Sequence, residues 1–302
     1  MSRQCRDELR RSDQYNDRLV SNINPDVSAR KEEFFCQGYA ALDGFLNERE
    51  CAEIRSAVEC LRLAPFHAGC NRPHNTLLPL RWNDQIVQLV VRSTRRVRDL
   101  SDAVSADDLK WTSGYVSTKE AHSPALWWHQ DWWCWDHPIS YQQAAAQVAV
   151  LCYLTDADRH NGGLRILPGS HAKSAPIHAL LPEAHGEDAD GLESGHPAMS
   201  DLDGQVTMNV RAGGAVVIDY RLLHGTHPND SNARRDCILL SFTPSWRSLP
   251  EDVRAHLIDH PAQPSANEIP SDEMTKLLPH FAGLRRSLDL NRNAPREFEI
   301  GS

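Results

Sequence analysis

The chain has 302 residues, 40% of them hydrophobic, with eight tryptophans and a formal net charge of −9. That apolar content is ample for a packed core and excludes overall disorder. An acidic chain with no basic cluster excludes nucleic acid and anionic membrane surfaces as main partners, and it disfavours a polyanion such as an acyl-CoA.

Residues 1–30 are polar and charged and read as a loosely held extension ahead of one domain spanning 31–302. No apolar signal core follows Met1, and the longest nearly apolar run, Ala144 to Leu154, falls short of the roughly 20 residues of a membrane-spanning helix. The eight cysteines (5, 36, 51, 60, 70, 134, 152 and 237) form no Cys-x-x-Cys pair, and several lie in apolar runs. The expectation is therefore a cytoplasmic protein with reduced thiols.

Cys51, Ile54, Val58 and Leu61 recur at helical spacing between Asn47 and Leu63, and Asn47 with Glu50 predicts a capping box. A second helix is predicted from Asn83 to Leu100, carried by Ile86, Leu89, Val90, Val97 and Leu100. From Lys110 the pattern changes to short strands at 110–117, 126–133, 146–154, 163–167, 206–211, 214–219 and 236–243, separated by turn residues. The predicted fold is mainly β with flanking helices, around a double-stranded β-helix core of the jelly-roll, cupin-like kind. Residues 172–205 interrupt the strands with seven acids and no Lys or Arg after Lys173, and read either as a solvated excursion or as an active-site lid. Terminal helices are expected at 249–258 and 271–288.

The strand at 126–133 contains Trp128-His129-Gln130-Asp131-Trp132-Trp133. Strand side chains alternate, so His129 and Asp131 would share a face. A structural role for His129 would leave Asp131 as a costly buried carboxylate, a cost that a cation offsets. With a second His from a distant strand, the donors would match those of non-heme Fe(II) oxygenases, although zinc can be held in the same way.

Two further motifs accompany this strand: Asn161-Gly162-Gly163-Leu164-Arg165-Ile166-Leu167-Pro168-Gly169-Ser170-His171, and Asp219-Tyr220-Arg221-Leu222-Leu223-His224-Gly225-Thr226 followed by Asn229, Ser231, Arg234 and Arg235. Together the three motifs resemble the phytanoyl-CoA dioxygenase family of Fe(II)/2-oxoglutarate-dependent oxygenases, from about Phe34 to about Pro244. The resemblance implies that His129, Asp131 and His224 are the catalytic metal ligands for Fe(II), with 2-oxoglutarate and O2 as co-substrates, and with release of succinate and CO2. His227, beside Pro228, is expected to be exposed or to lie behind the ligands, and His171 to serve its turn.

Arg235 lies eleven positions after His224, at the family's interval for the arginine that holds the remote carboxylate of 2-oxoglutarate. Arg234 is its rival by a one-residue register shift. Thr226 and Lys119 are further candidates for the same carboxylate. Trp133 and Trp127 would share the face of His129 and wall the substrate pocket, with Trp128 and Trp132 in the core. Arg165 would either bind a substrate anion or form a salt bridge. Because Asp131 is present, the resemblance favours hydroxylation, desaturation or oxidative cyclisation over halogenation. The expected partner is a small metabolite or natural-product intermediate. The alternatives are a jelly-roll binding or regulatory protein without turnover, and a zinc hydrolase.

Overall fold

The computed structural model describes residues 17–19, 27–64, 70–184, 186–193, 195–265 and 273–301. Its strands in chain order are β1 (Asp17–Leu19), β2 (Tyr39–Leu42), β3 (Cys70–Asn71), β4 (Thr76–Leu80), β5 (Lys110–Lys119) and β6 (Leu126–His129). They continue with β7 (Val148–Tyr153), β8 (Leu164–Ile166), β9 (Val206–Asn209), β10 (Ala215–Asp219), β11 (His224–Thr226) and β12 (Arg235–Thr243). Two sheets result, ordered β1-β9-β8-β11-β6 and β2-β10-β7-β12-β5-β4-β3. All pairings are antiparallel except β1 with β9.

Strand β7 shows why the larger sheet is sandwiched. All six of its residues are buried. Val148, Val150 and Cys152 belong to the core shared with the helices, while Ala149, Leu151 and Tyr153 join the core shared with the smaller sheet. A strand covered on both faces needs such a continuous apolar run. The helical layer consists of α1 (Val27–Gln37), α2 (Glu48–Leu63), α3 (Gln85–Val91) and α4 (Thr94–Val104). The capping box of α2 forms as expected: Glu50 N–H donates to Asn47 Oδ1 at 2.9 Å, and Asn47 N–H donates to Glu50 Oε2 at 3.0 Å. Helix α2 buries Cys51, Ile54 and Val58, and Glu50 also accepts from buried Arg96 of α4 at 2.8 Å.

Several expectations are corrected. The helix predicted over 83–100 is two helices, because the side chain of Ser93 caps Arg96 N–H and starts α4 after α3 has ended at Arg92. Most of the expected polar extension lies outside the described residues, but Asp17–Leu19 pairs in parallel with Thr207–Asn209, and Val27 already begins α1. At the C-terminus α5 (Glu251–Ile258) forms, whereas 271–288 contains only a short 3-10 turn at Glu273–Leu277 among its described residues. Pro279 lacks an N–H and biases Leu278 away from helical geometry, and Gly283 adds a second weak point. Cys36 is disulfide-bonded, while Cys51, Cys60, Cys134, Cys152 and Cys237 are free. Sequence spacing detects only local cysteine pairs, so this bond was not legible, and reduced thiols no longer argue for a cytoplasmic setting. Among the described residues no helix is long and apolar enough to cross a membrane.

The turn between β10 and β11 is organised by a buried ion pair. Asp219 accepts from Arg221 through Nε at 3.0 Å and Nη2 at 2.7 Å, and Arg221 Nη1 donates to the carbonyls of Ser140 and Gln142. Burial pushes the Asp219 carboxyl up, but Arg221 outweighs it and holds the group below its ordinary 3.8. Arg221→Met should therefore cost about 3–5 kcal/mol by leaving a buried carboxylate unpaired. A carboxylate with a lowered folded pKa stabilises the fold above its unfolded value and loses that contribution as pH falls. The contribution of this pair to wild-type thermal stability is thus expected to be full at neutral pH and lost as pH falls below 3.8, so the gap to the variant narrows in acid.

Candidate metal centre

Strand β6 ends at His129, which sits directly across the ladder from His224 of β11. The two imidazole centroids are 4.3 Å apart. His129 Nδ1 donates to its own chain at Trp127 O (2.9 Å), and His224 Nδ1 donates likewise to Leu222 O (3.0 Å). Both bonds place the ring proton on Nδ1 and leave the Nε2 lone pairs facing inward, the tautomer that a metal ligand needs. Asp131 meets both: Oδ1 lies 3.7 Å from His129 Nε2 and Oδ2 lies 3.6 Å from His224 Nε2. One donor atom from each residue falls within 4.8 Å of the others, spacing that suits a single metal ion.

Asp131 lies two residues beyond the end of β6, on the same side as His129. The chain leaves the sheet after His129, with Gln130 Nε2 bonded to Arg221 O and Trp132 N–H to Tyr220 O. The approach of His224 is set from the other side. Ser170 Oγ accepts from Leu223 N–H at 2.9 Å, and Leu167 N–H donates to Leu223 O at 2.9 Å, so the Pro168-Gly169-Ser170 turn places the residue before His224.

The three side chains open into a cavity of about 640 Å³. Its lining includes Arg235, Thr226 and Tyr153. Arg235 is 3% exposed and donates through Nη2 to Gly162 O at 2.9 Å, with its guanidinium over the Tyr153 ring. Arg235 Nε, Thr226 Oγ1 and Tyr153 Oη are buried without a hydrogen-bond partner. Burial pushes the Tyr153 phenol far up, so the hydroxyl keeps its proton. Three orphaned polar groups in one cavity, one of them cationic, fit an anion such as the remote carboxylate of a dicarboxylic acid.

Gly162 explains part of the Asn-Gly-Gly motif. Its φ is +80°, and a Cβ there would lie 2.2 Å from Lys119 Cδ, so only glycine lets the carbonyl that receives Arg235 pack against that side chain. Asn229 organises the loop into β12, its Nδ2 donating to the carbonyls of Lys119, Glu120 and Ala233. Arg234 points the other way, paired with Asp236 at 2.7 Å and with Glu59.

The remaining expected residues divide. Trp133 lines the cavity, and its indole N–H donates to Gln147 Oε1 at 2.6 Å. Trp127 does not line it: the ring packs with Leu126, Ala189, Ala198 and Met199, edge-on to His74 at 5.0 Å. Lys119 also lies off the cavity, fully buried, with Nζ donating to His74 O and Pro124 O; burial and nearby Arg235 push its amine down to about 6. Arg165 takes the salt-bridge alternative, 3.5 Å from Asp201, with further bonds to the carbonyls of Leu126, Met199 and Ser200. These three fail as wall or anion residues because neighbouring backbone carbonyls and apolar rings engage them behind the site.

His227 is buried rather than exposed, bonded to Thr207 Oγ1 at 2.9 Å, and burial pushes it down to about 4. His171 packs in its turn, near Phe35 O. No described residue of 172–205 lines the cavity. Among its described residues this excursion packs behind β6, where Trp128 Nε1 donates to Ser200 O, while several residues of 256–261 and 287–292 line the cavity. Tyr153, Tyr115 and Arg292 were not singled out from sequence. Tyr153 lay in an expected strand, but no local pattern marks its hydroxyl as unpaired.

A family described as "Phytanoyl-CoA dioxygenase (PhyH)" matches residues 34–237. The chain is similar to an ectoine dioxygenase of Nocardia farcinica, at 25% identity over 83% of this chain and 92% of the relative. It is also similar to a probable alpha-ketoglutarate-dependent hypophosphite dioxygenase of Stutzerimonas stutzeri, at 20% identity over 70% of this chain and 77% of the relative. Among solved structures it resembles the epimerase SnoN in complex with Fe3+, alpha ketoglutarate and nogalamycin RO, with a TM-score of 0.54, 17% identity, and 72% and 83% of the two chains covered. HygX from Streptomyces hygroscopicus, solved with nickel, 2-oxoglutarate and hygromycin B, gives a TM-score of 0.50 at 20% identity, over 71% of this chain and 87% of its own. These two structures share the fold.

Proposed function

Since the chain belongs to the phytanoyl-CoA dioxygenase (PhyH) family, we propose that it is a 2-oxoglutarate-dependent iron dioxygenase whose Fe(II) is held by His129, Asp131 and His224. Arg235, with Thr226 and Tyr153, holds the remote carboxylate of 2-oxoglutarate. The observation that carries this reading is the set of buried, partnerless polar groups at Arg235, Thr226 and Tyr153 in the cavity that also contains the His/Asp/His donors. A zinc hydrolase has no use for that anion-binding wall.

Bound Fe(II) with 2-oxoglutarate and O2 would supply the oxidising chemistry, with succinate and CO2 as by-products. The protein's part is orientation and exclusion of water. His129 and His224 present fixed Nε2 lone pairs, and Asp131 supplies the negative charge that balances a divalent cation. Tyr153 donates and Arg235 offers its planar fork. Leu77, Leu151, Leu164 and Leu239 give the cavity apolar walls. Asp131 occupies the carboxylate position, so hydroxylation, desaturation or oxidative cyclisation is the favoured outcome.

The substrate is a small molecule, a metabolite or natural-product intermediate, in keeping with the relatives named for ectoine and hypophosphite. Residues 256–261 and 287–292 belong to the same working unit, because several of them line the cavity. The test is anaerobic addition of 2-oxoglutarate to the Fe(II)-loaded protein. A visible metal-to-ligand charge-transfer band and, in air, Fe(II)-dependent succinate release are expected. Failure of the band to form in wild-type protein would overturn the reading.

A further inference from the structure

Arg292 comes from the C-terminal segment, beyond every motif described above, and yet it lines the cavity. The residue is half-buried, and its guanidinium has no hydrogen bond or ion pair among the described residues. Scarcity of acids is not the reason, because the chain carries 41 of them and Asp259 lines the same cavity. The segment is held firmly. Asn291 N–H donates to Trp133 O at 3.0 Å, Trp135 N–H donates to Asn291 O at 3.1 Å, and Leu288 N–H donates to His256 Nδ1 at 3.1 Å. Trp133 and His256 both line the cavity, with their rings 4.3 Å apart.

Register places this cation away from Arg235. Arg235 pairs with Lys119 across the β12/β5 ladder, and Leu239 pairs with Tyr115. Four residues of strand separate the two pairs by about 13 Å. Asn291, next to Arg292, bonds to Trp133, whose indole reaches Gln147 and through it Thr112, beyond Tyr115 on β5 and so toward the far end. The third cavity-lining arginine, Arg72, stacks over the Trp127 ring and has partners of its own. The cavity thus has one cationic end suited to the co-substrate and a second, uncommitted one.

We propose that Arg292 is the substrate-binding cation of this enzyme, and that the substrate is an organic carboxylate seated between Arg292 and the Trp133–His256 ring pair. The proposal rests on the iron and 2-oxoglutarate reading and names its substrate class. A single planar guanidinium matches a carboxylate through two parallel bonds, whereas a polyphosphate would call for a cluster of cations. The adjoining rings and Leu290 supply the apolar contact that an organic anion has and a bare inorganic ion lacks.

The experiment uses the full-length protein with Fe(II) and 2-oxoglutarate under anaerobic conditions. Ectoine, L-proline and benzoate, each paired with its neutral primary amide, are titrated in, and binding is read as a perturbation of the charge-transfer band. In wild type at least one acid should bind about tenfold or more tightly than its amide, the worth of a charge-assisted hydrogen bond. Arg292→Gln should erase that preference and Arg292→Lys should retain part of it, with the affinity for 2-oxoglutarate unchanged in both. Equal binding of acids and amides by wild type overturns the proposal, as does a preference that survives in Arg292→Gln. Loss of 2-oxoglutarate affinity in Arg292→Gln would place this arginine at the co-substrate instead, and overturn it too. An absent charge-transfer band in wild type is a different result: it removes the iron and 2-oxoglutarate reading itself.

Discussion

His129→Ala and His224→Ala are each expected to weaken Fe(II) binding at least about hundredfold, since even partners behind metal ligands are worth roughly 10–100-fold. His227→Ala should bind iron nearly as wild type does. The contrast is sharp because His224 and His227 are three residues apart and both are buried. Only His224 turns Nε2 toward Asp131, at 3.6 Å, while His227 Nε2 is taken by Thr207 at 2.9 Å. Removing that bond costs about 1 kcal/mol of stability, so His227→Ala should melt earlier while keeping its metal. Anaerobic calorimetric titration together with thermal unfolding separates the two effects. Equal losses of iron affinity at His224 and His227 would sink the ligand assignment.

Arg235→Gln should raise the 2-oxoglutarate concentration needed for half-maximal succinate formation by roughly 30-fold to several-thousand-fold, because truncating one partner of a desolvated charge pair costs about 2–5 kcal/mol. Fe(II) affinity should hardly change. Arg234→Gln should shift the requirement by no more than about fivefold, since partly exposed ion pairs contribute about 0–1 kcal/mol and this one faces Asp236 and Glu59. Thr226→Val should fall between them, with one charge-assisted bond lost at about 1.5–3 kcal/mol. A larger defect in Arg234→Gln than in Arg235→Gln would reverse the register on which the co-substrate site is built.

The legible part of the site was its local part. His129 and Asp131 are two residues apart, and Arg235 follows His224 within one loop. Strand alternation puts His129 and Asp131 on one side, and both reach the metal centre although β6 itself ends at His129. The same assumption misplaced Trp127, which alternation assigns to the cavity and the fold sends behind it. Arg165 and Lys119 show the converse difficulty. A charge within a strand announces that it needs partners, but those partners are carbonyls at Leu126, Met199 and Ser200, and at His74 and Pro124.

Apolar periodicity and cap chemistry act over one or two turns, so the sequence by itself determined helix α2 with its Asn47/Glu50 box and most of the strands from Lys110 onward. It also determined the order of the three motifs, and so the family resemblance. Tertiary structure alone decided which polar groups lack partners, because an unpaired atom is defined by everything packed around it. Tyr153, Thr226 and Arg235 bring their partnerless polar atoms to one cavity only when two sheets close over them, and Arg292 becomes a cavity wall only when the C-terminal segment bonds across Trp133. Contacts between residues 133 and 291 leave no periodic trace in either segment, since they depend on chain reversal through the whole fold rather than on local spacing.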